Sequence, residues 1–253
     1  MSKRFRNNRL DEMELLILES GSIGTRQLAE HFGISLNTLR HDIAELSTRG
    51  KIVKVYGGVA AVKNTVTSVS ERRYQNYGIK MRIGEFASSL VEDGKSIFVD
   101  GGTTAVCMIP FLSKVQNVSL TTHSLGVLEN VSGLTNLSIV SLGGKYDFLT
   151  RSFLDYEAIE MLRGIRFDFV FVGASSIKPD GIYAELYLPS IMKTAIIESG
   201  DNVVILSDYS KFNKPAPHKS CDFTKVDYLV TDKTPPLKIM DAIEENNIKL
   251  FLV

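Results

Sequence analysis

The chain has 253 residues, 44% hydrophobic and 23% charged, which supplies enough apolar material for a buried core and excludes a disordered or fibrous polypeptide. That length suits a small domain joined to a medium one. Formal net charge is zero, yet residues 1–82 carry 14 Lys and Arg against 8 Asp and Glu, while residues 83–253 carry 15 against 21, so the amino-terminal part is the basic one. The two cysteines, Cys107 and Cys221, and the four histidines have no ligand spacing, so no disulfide framework, metal site or cofactor is expected. No segment reaches the ~18–20 apolar residues of a membrane span and the start lacks the apolar run of a signal peptide. A cytoplasmic protein with no membrane partner is the expectation.

From residue 9 to 20, Leu10, Met13, Leu16 and Ile17 recur at helical spacing, and Gly21 marks a stop. A short second helix is expected over 25–32, with Thr25 as its cap and Leu28, Ala29 and Phe32 inward. Gly33-Ile34 makes a tight turn. Ser35 then stands where a cap is needed, and Leu36, Leu39, Ile43 and Leu46 form one apolar stripe on a third helix. At about 100° per residue, Asn37, Thr38, His41 and Glu45 fall on the opposite face, with Arg40 on the flank. Amide, hydroxyl and imidazole groups on the first half of an exposed helix suit contact with base edges, so Asn37 and His41 are candidate base readers and Arg40 a phosphate contact. Residues 51–62 are β-prone with a Gly57-Gly58 break and read as a wing, where Lys51 and Lys54 add backbone contacts. Lys3, Arg4, Arg6 and Arg9 are expected in a flexible basic arm.

The run Gly33-Ile-Ser-Leu-Asn-Thr-Leu-Arg-His-Asp-Ile43 resembles the helix-turn-helix signature of the DeoR family of transcriptional regulators. In that signature a Ser, a Thr, an Arg, a basic residue and an Asp keep this order, here Ser35, Thr38, Arg40, His41 and Asp42. His41 replaces the more usual second arginine. Tyr56-Gly57-Gly58-Val59-Ala60 is similar to the end of that family's wing.

Residues 63–80 are polar and rich in Ser, Thr and Asn, and are read as a linker between a DNA-binding domain over 1–62 and a second domain over 81–253. A helix is expected from about residue 80 to 91. Beyond it, β-branched runs at 96–100, 118–122, 137–142, 167–173, 203–208 and 228–231 alternate with helical patterns at 105–112, 153–162 and 189–199. Such alternation predicts an α/β domain with a mainly parallel sheet, and ligands in such sheets bind at the carboxyl ends of strands. Those ends carry Asp100-Gly101-Gly102-Thr103-Thr104, Thr122-His123-Ser124, Gly143-Gly144, Gly173-Ala174-Ser175 and Asp208-Tyr209-Ser210-Lys211. Glycines allow close backbone approach, hydroxyls add donors, and Lys211 supplies positive charge, so a phosphorylated ligand is expected. Neither the P-loop pattern nor G-x-G-x-x-G occurs, which disfavours nucleoside triphosphates and NAD.

These positions also resemble the DeoR-family sensor domain, which is similar in fold to ribose-5-phosphate isomerase. Departures are His123 in place of Asn, Asp155 in place of Gly, and Pro189 where an acidic residue often precedes the lysine matching Lys193. The resemblance implies a repressor of sugar-metabolism genes that binds a DNA operator and is controlled by a phosphorylated sugar. Two alternatives stay open: a sugar-phosphate isomerase fused to a DNA-binding module, with Asp100, Asp208 or Glu185 as base, and a nucleic-acid-binding protein with a degenerate pocket. Because helix-turn-helix proteins usually read paired half-sites, a homo-oligomer of at least two chains is expected.

Overall fold

The computed structural model describes residues 3–20, 22–48, 52–55, 57–61 and 68–253, in two compact units, Met1–Thr65 and Val66–Val253. In the first unit α1 (Lys3–Ser20), β1 (Ser22–Gly24), α2 (Thr25–His31) and α3 (Leu36–Thr48) precede the hairpin β2 (Ile52–Val55) and β3 (Gly58–Ala61). The three strands form an antiparallel sheet in the order β1-β3-β2. Leu10, Met13, Ile17, Leu28, Leu39, Ile43, Leu46, Ile52 and Val59 close one core. Each such side chain contributes about 1.5–3 kcal/mol when fully buried. Gly33 turns the chain between α2 and α3 at φ +59°, a conformation that side chains rarely adopt.

Three expectations for this unit change. The backbone is helical from Lys3, so the basic segment is not a free arm; Lys51 and Tyr56 lie outside the described residues. Gly24, not Thr25, caps α2, because the Thr25 hydroxyl donates to the Gly57 carbonyl at 3.2 Å and ties the helix to the wing turn. Leu36 is 45% exposed, since the first turn of α3 precedes the point where the helix meets the core.

The second unit begins with α4 (Val69–Arg72) and α5 (Tyr77–Ser88). The expected linker is therefore folded from Ser68 onward: Ser68 and Glu71 complete a reciprocal capping box, and Val69 N–H donates to the Leu149 carbonyl. The elements that follow are β4 (Ser96–Val99), α6 (Thr103–Val106), β5 (Val118–Thr122), α7 (Leu125–Val131) and β6 (Leu137–Ser141). Next come β7 (Tyr146–Asp147), β8 (Ser152–Phe153), α8 (Tyr156–Leu162), β9 (Phe169–Gly173), β10 (Ser176–Lys178), β11 (Gly181–Ala184) and α9 (Tyr187–Glu198). The chain finishes with β12 (Val203–Leu206), β13 (His218–Cys221), β14 (Tyr228–Thr231), α10 (Leu237–Glu245) and β15 (Lys249–Leu252).

Seven strands pair in parallel in the order β15-β14-β12-β9-β4-β5-β6, and β10-β11-β13 form a small antiparallel sheet. Alternation along the strands sends Phe98, Val170, Val172, Val203 and Ile205 to one face, under α8, α9 and α10. It sends Ile97, Val99, Phe171, Val204 and Leu206 to the other, under α5, α6 and α7. From β4 the chain winds outward through β5 to β6, then returns to place β9 on the other side of β4. That reversal opens a crevice beyond the carboxyl ends of β4 and β9.

Candidate functional site

On α3 the described side chains are arranged as a surface to be read. Ser35 Oγ accepts from Thr38 N–H at 3.1 Å and so caps the helix, and it lies 2.9 Å from Thr38 Oγ1. Asn37, Arg40 and His41 are exposed and make no side-chain hydrogen bond among the described residues, and Lys54 is exposed on β2. Beneath them Asp42, 1% exposed, accepts from Arg9 Nη2 at 2.7 Å and Nε at 3.1 Å. Arg9, expected to contact DNA, is thus engaged in fastening α1 to α3.

The crevice of the second unit spans about 780 Å³ when the solvent at its mouth is included. Ten expected residues line it: Asp100, Gly101, Gly102, Thr103, Thr104, His123, Gly173, Ala174, Ser175 and Lys211. Gly102 and Gly173 come so close that a Cβ on either would stand 3.1–3.2 Å from the other's Cα. Asp100 sits at the centre: its Oδ2 accepts from Lys193 Nζ at 2.5 Å and from Gly173 N–H at 3.1 Å, and its Oδ1 is 3.4 Å from His123 Nε2. Burial alone pushes the Asp100 carboxyl up, but the Lys193 ammonium and His123 outweigh it and hold the group well below the usual carboxylate range.

Four expected residues do not reach the crevice. Thr122 donates its hydroxyl to the Val99 carbonyl at 2.7 Å, and Ser124 caps α7 by accepting from Val127 N–H. Gly143 and Gly144 follow the edge strand β6, two strands away from the reversal, and the Asp155 carboxylate braces that turn by accepting from Lys145 N–H at 2.8 Å. Asp208, one of the three candidate bases, is 1% exposed and caps the turn that carries Lys211, outside the crevice lining.

Other lining residues were not among the expected ones, notably Arg72, Thr150, Ser152 and Lys193. Arg72 was hidden in the presumed linker, although Ser68-x-x-Glu71 is a capping signal. Lys193 interrupts the apolar face of α9 that carries Met192, Ile196 and Ile197, and a charge on a buried face was its signal. Lys193 is paired with Asp100, and Glu185 with Lys214 at 3.1 Å. Arg72 and Lys211 have no carboxylate partner among the described residues. Burial depresses the Lys211 pKa, with repulsion from Lys214 and Arg72 adding to it and Asp208 and Glu185 opposing.

Together the units make a two-domain protein in which a winged helix-turn-helix is joined to an α/β domain with a ligand-sized crevice. A DeoR-like helix-turn-helix domain model matches residues 9–65 and a DeoR C terminal sensor domain model matches residues 75–233. The chain belongs to the DeoR family of transcriptional regulators. It is 32% identical to the HTH-type transcriptional regulator IolR of Bacillus subtilis, over 96% of this chain and 98% of that protein. It is 28% identical to the glycerol-3-phosphate regulon repressor of Escherichia coli K12, over 94% and 95%. These relatives are regulators by name, not enzymes. Ribose 5 phosphate isomerase A from Neisseria gonorrhoeae overlaps 53% of this chain and 52% of its own, at 15% identity and a TM-score of 0.39, too partial a likeness to bear on function. No helix among the described residues is long and apolar enough to cross a membrane.

Proposed function

We propose that this chain is a cytoplasmic repressor of sugar-metabolism genes that binds its operator as a homo-oligomer and is controlled by a phosphorylated sugar held in the crevice of the second unit. The observation that carries the effector is charge: Asp100 is paired with Lys193 and Glu185 with the part-exposed Lys214, and Arg72 and Lys211 remain without an ion-pair partner among the described residues, lining one space. A phosphate dianion matches them, and the backbone at Gly101 and Gly102 lets it approach closely. The relative named for a glycerol-3-phosphate regulon agrees with a phosphate ester as effector. Operator contacts are assigned to Asn37 and His41 for sequence and to Ser35, Thr38, Arg40, Lys51 and Lys54 for the backbone. Effector binding then shifts the balance between states that present paired DNA-binding units differently.

The test is anisotropy on DNA from upstream of the protein's own gene at fixed salt, with and without sugar phosphates. Release by one of them supports the reading; specific binding indifferent to all of them sinks the effector assignment.

A further inference from the structure

Glu185 follows β11, lines the crevice and has a side chain only 7% exposed. Its Oε1 accepts from Lys214 Nζ at 3.1 Å, whereas its Oε2 is buried with no hydrogen-bond partner. Native proteins seldom leave a buried carboxylate oxygen unsatisfied, because its hydration is lost and nothing replaces it. A second such atom, His123 Nδ1, lies in the same crevice. His123 Nε2 stands 3.4 Å from Asp100 Oδ1. In contrast Arg72 Nε, also unpartnered, is a donor.

The unfilled groups therefore sort into donors and acceptors. Bare phosphate satisfies Arg72 and Lys211 but leaves Glu185 Oε2 without a donor, and it adds negative charge near a carboxylate. A second carboxylate on the ligand would be repelled by Glu185 and Asp100. An added ammonium is not required, since Lys214 already balances Glu185. What remains is a neutral carbon chain bearing hydroxyl groups.

We propose that Glu185 determines specificity in this crevice: its carboxylate accepts a hydrogen bond from a hydroxyl of a monophosphorylated neutral sugar or polyol whose phosphate is held by Arg72 and Lys211. The proposal rests on the phosphosugar reading of the same crevice. It selects hydroxylated monophosphates against phosphorylated acids and against alkyl phosphates.

The experiment is calorimetric titration of the full chain with inorganic phosphate, butyl phosphate, glycerol 3-phosphate, ribose 5-phosphate, fructose 6-phosphate and glucose 6-phosphate. The wild type is expected to bind at least one hydroxylated phosphate about 10-fold or more tighter than butyl phosphate. In Glu185→Gln that compound should weaken by about 10–100-fold, while inorganic phosphate is unchanged or tighter because a neighbouring negative charge is gone. Equal tightening of both would make Glu185 a mere partner of Lys214 and overturn the proposal. If Glu185→Gln fails to fold, as read from its melting curve, the wild-type contrast with butyl phosphate decides alone, and equal affinities overturn the proposal. Absence of binding by every phosphate compound brings down the phosphosugar reading itself, and this assignment with it. Binding of inorganic phosphate with no preference for any sugar phosphate removes only the role of Glu185.

Discussion

On α3, Asn37, Arg40 and His41 stand in solvent without side-chain partners among the described residues, whereas in the crevice Asp100 and Lys193 are 4% and 8% exposed and bound to each other. Water satisfies the first set until a partner replaces it, so those side chains can stay uncommitted at little cost. The second set has lost its water, so nearly every polar atom must be paired in advance. The few left over, on Arg72, His123 and Glu185, are the atoms on which the proposed effector assignment draws. A surface that reads a polymer keeps its options open, while a crevice built for a small molecule records its shape in what it leaves unpaired.

The sharpest way to break this contrast is at Asp100. Asp100→Ala leaves Lys193 buried and unpaired and should destabilise the second unit by about 3–5 kcal/mol in urea unfolding. Arg40→Ala should stay within about 0.5 kcal/mol in the same measurement. Comparable losses would end the distinction. Because the Asp100 pKa is lowered on folding, its contribution is fully present above the unfolded carboxylate value of about 3.9 and is lost as pH falls from there through the folded value. Unfolding free energy measured against pH should therefore decline on the acid side, and less steeply in Asp100→Asn.

Next in size are the ligand cations. Lys211→Ala or Arg72→Ala should each weaken effector binding by about 1.5–3 kcal/mol, the range for a hydrogen bond to a charged group. DNA affinity without effector should be retained, and its loss would point to misfolding. On α3, Asn37→Ala and His41→Ala should each change sequence preference by about 1–3 kcal/mol per lost contact, whereas Arg40→Ala should weaken all sequences alike and reduce the salt slope by about 1. If all three act equally on specific and random DNA, the facing assigned to α3 is wrong. Removing the cap with Ser35→Ala should cost about 1 kcal/mol in thermal unfolding of the first unit.

The smallest expected effect is on protons. Burial depresses the Lys211 pKa in the free crevice, with Lys214 and Arg72 further disfavouring its charged form and Asp208 and Glu185 favouring it. A bound phosphate favours the charged form, so binding takes up protons, and affinity falls as pH rises through the free Lys211 value. Calorimetry in buffers of different ionisation enthalpy measures the uptake, and Lys211→Ala should remove it.

Much of the first unit was legible because its signals are local: the stripe Leu39, Ile43, Leu46, the cap at Ser35 and the Gly33 turn each act within a few residues. Six of the seven parallel strands were legible as β-branched runs, but β15 at the sheet edge was not, nor were β10, β11 and β13, since short antiparallel pairings such as Ile182 with Cys221 leave no periodic trace. In the candidate site the small residues after β4 and β9 were readable, whereas Arg72 looked like linker and Lys193 was read only as matching a family lysine, without a place in the crevice.

By itself the sequence determined the helices of the first unit, six of the seven parallel strands and the chemistry available at their ends, because propensity, capping and charge are properties of neighbouring residues. Only the tertiary structure decided which ends meet. Strand order sets β4 against β9 and leaves β6 at the edge, so Asp100 finds Lys193 from 93 residues away while Gly143 and Gly144 face elsewhere. That order is settled by the burial of two sheet faces at once, a quantity spread over the whole domain and written in no single segment.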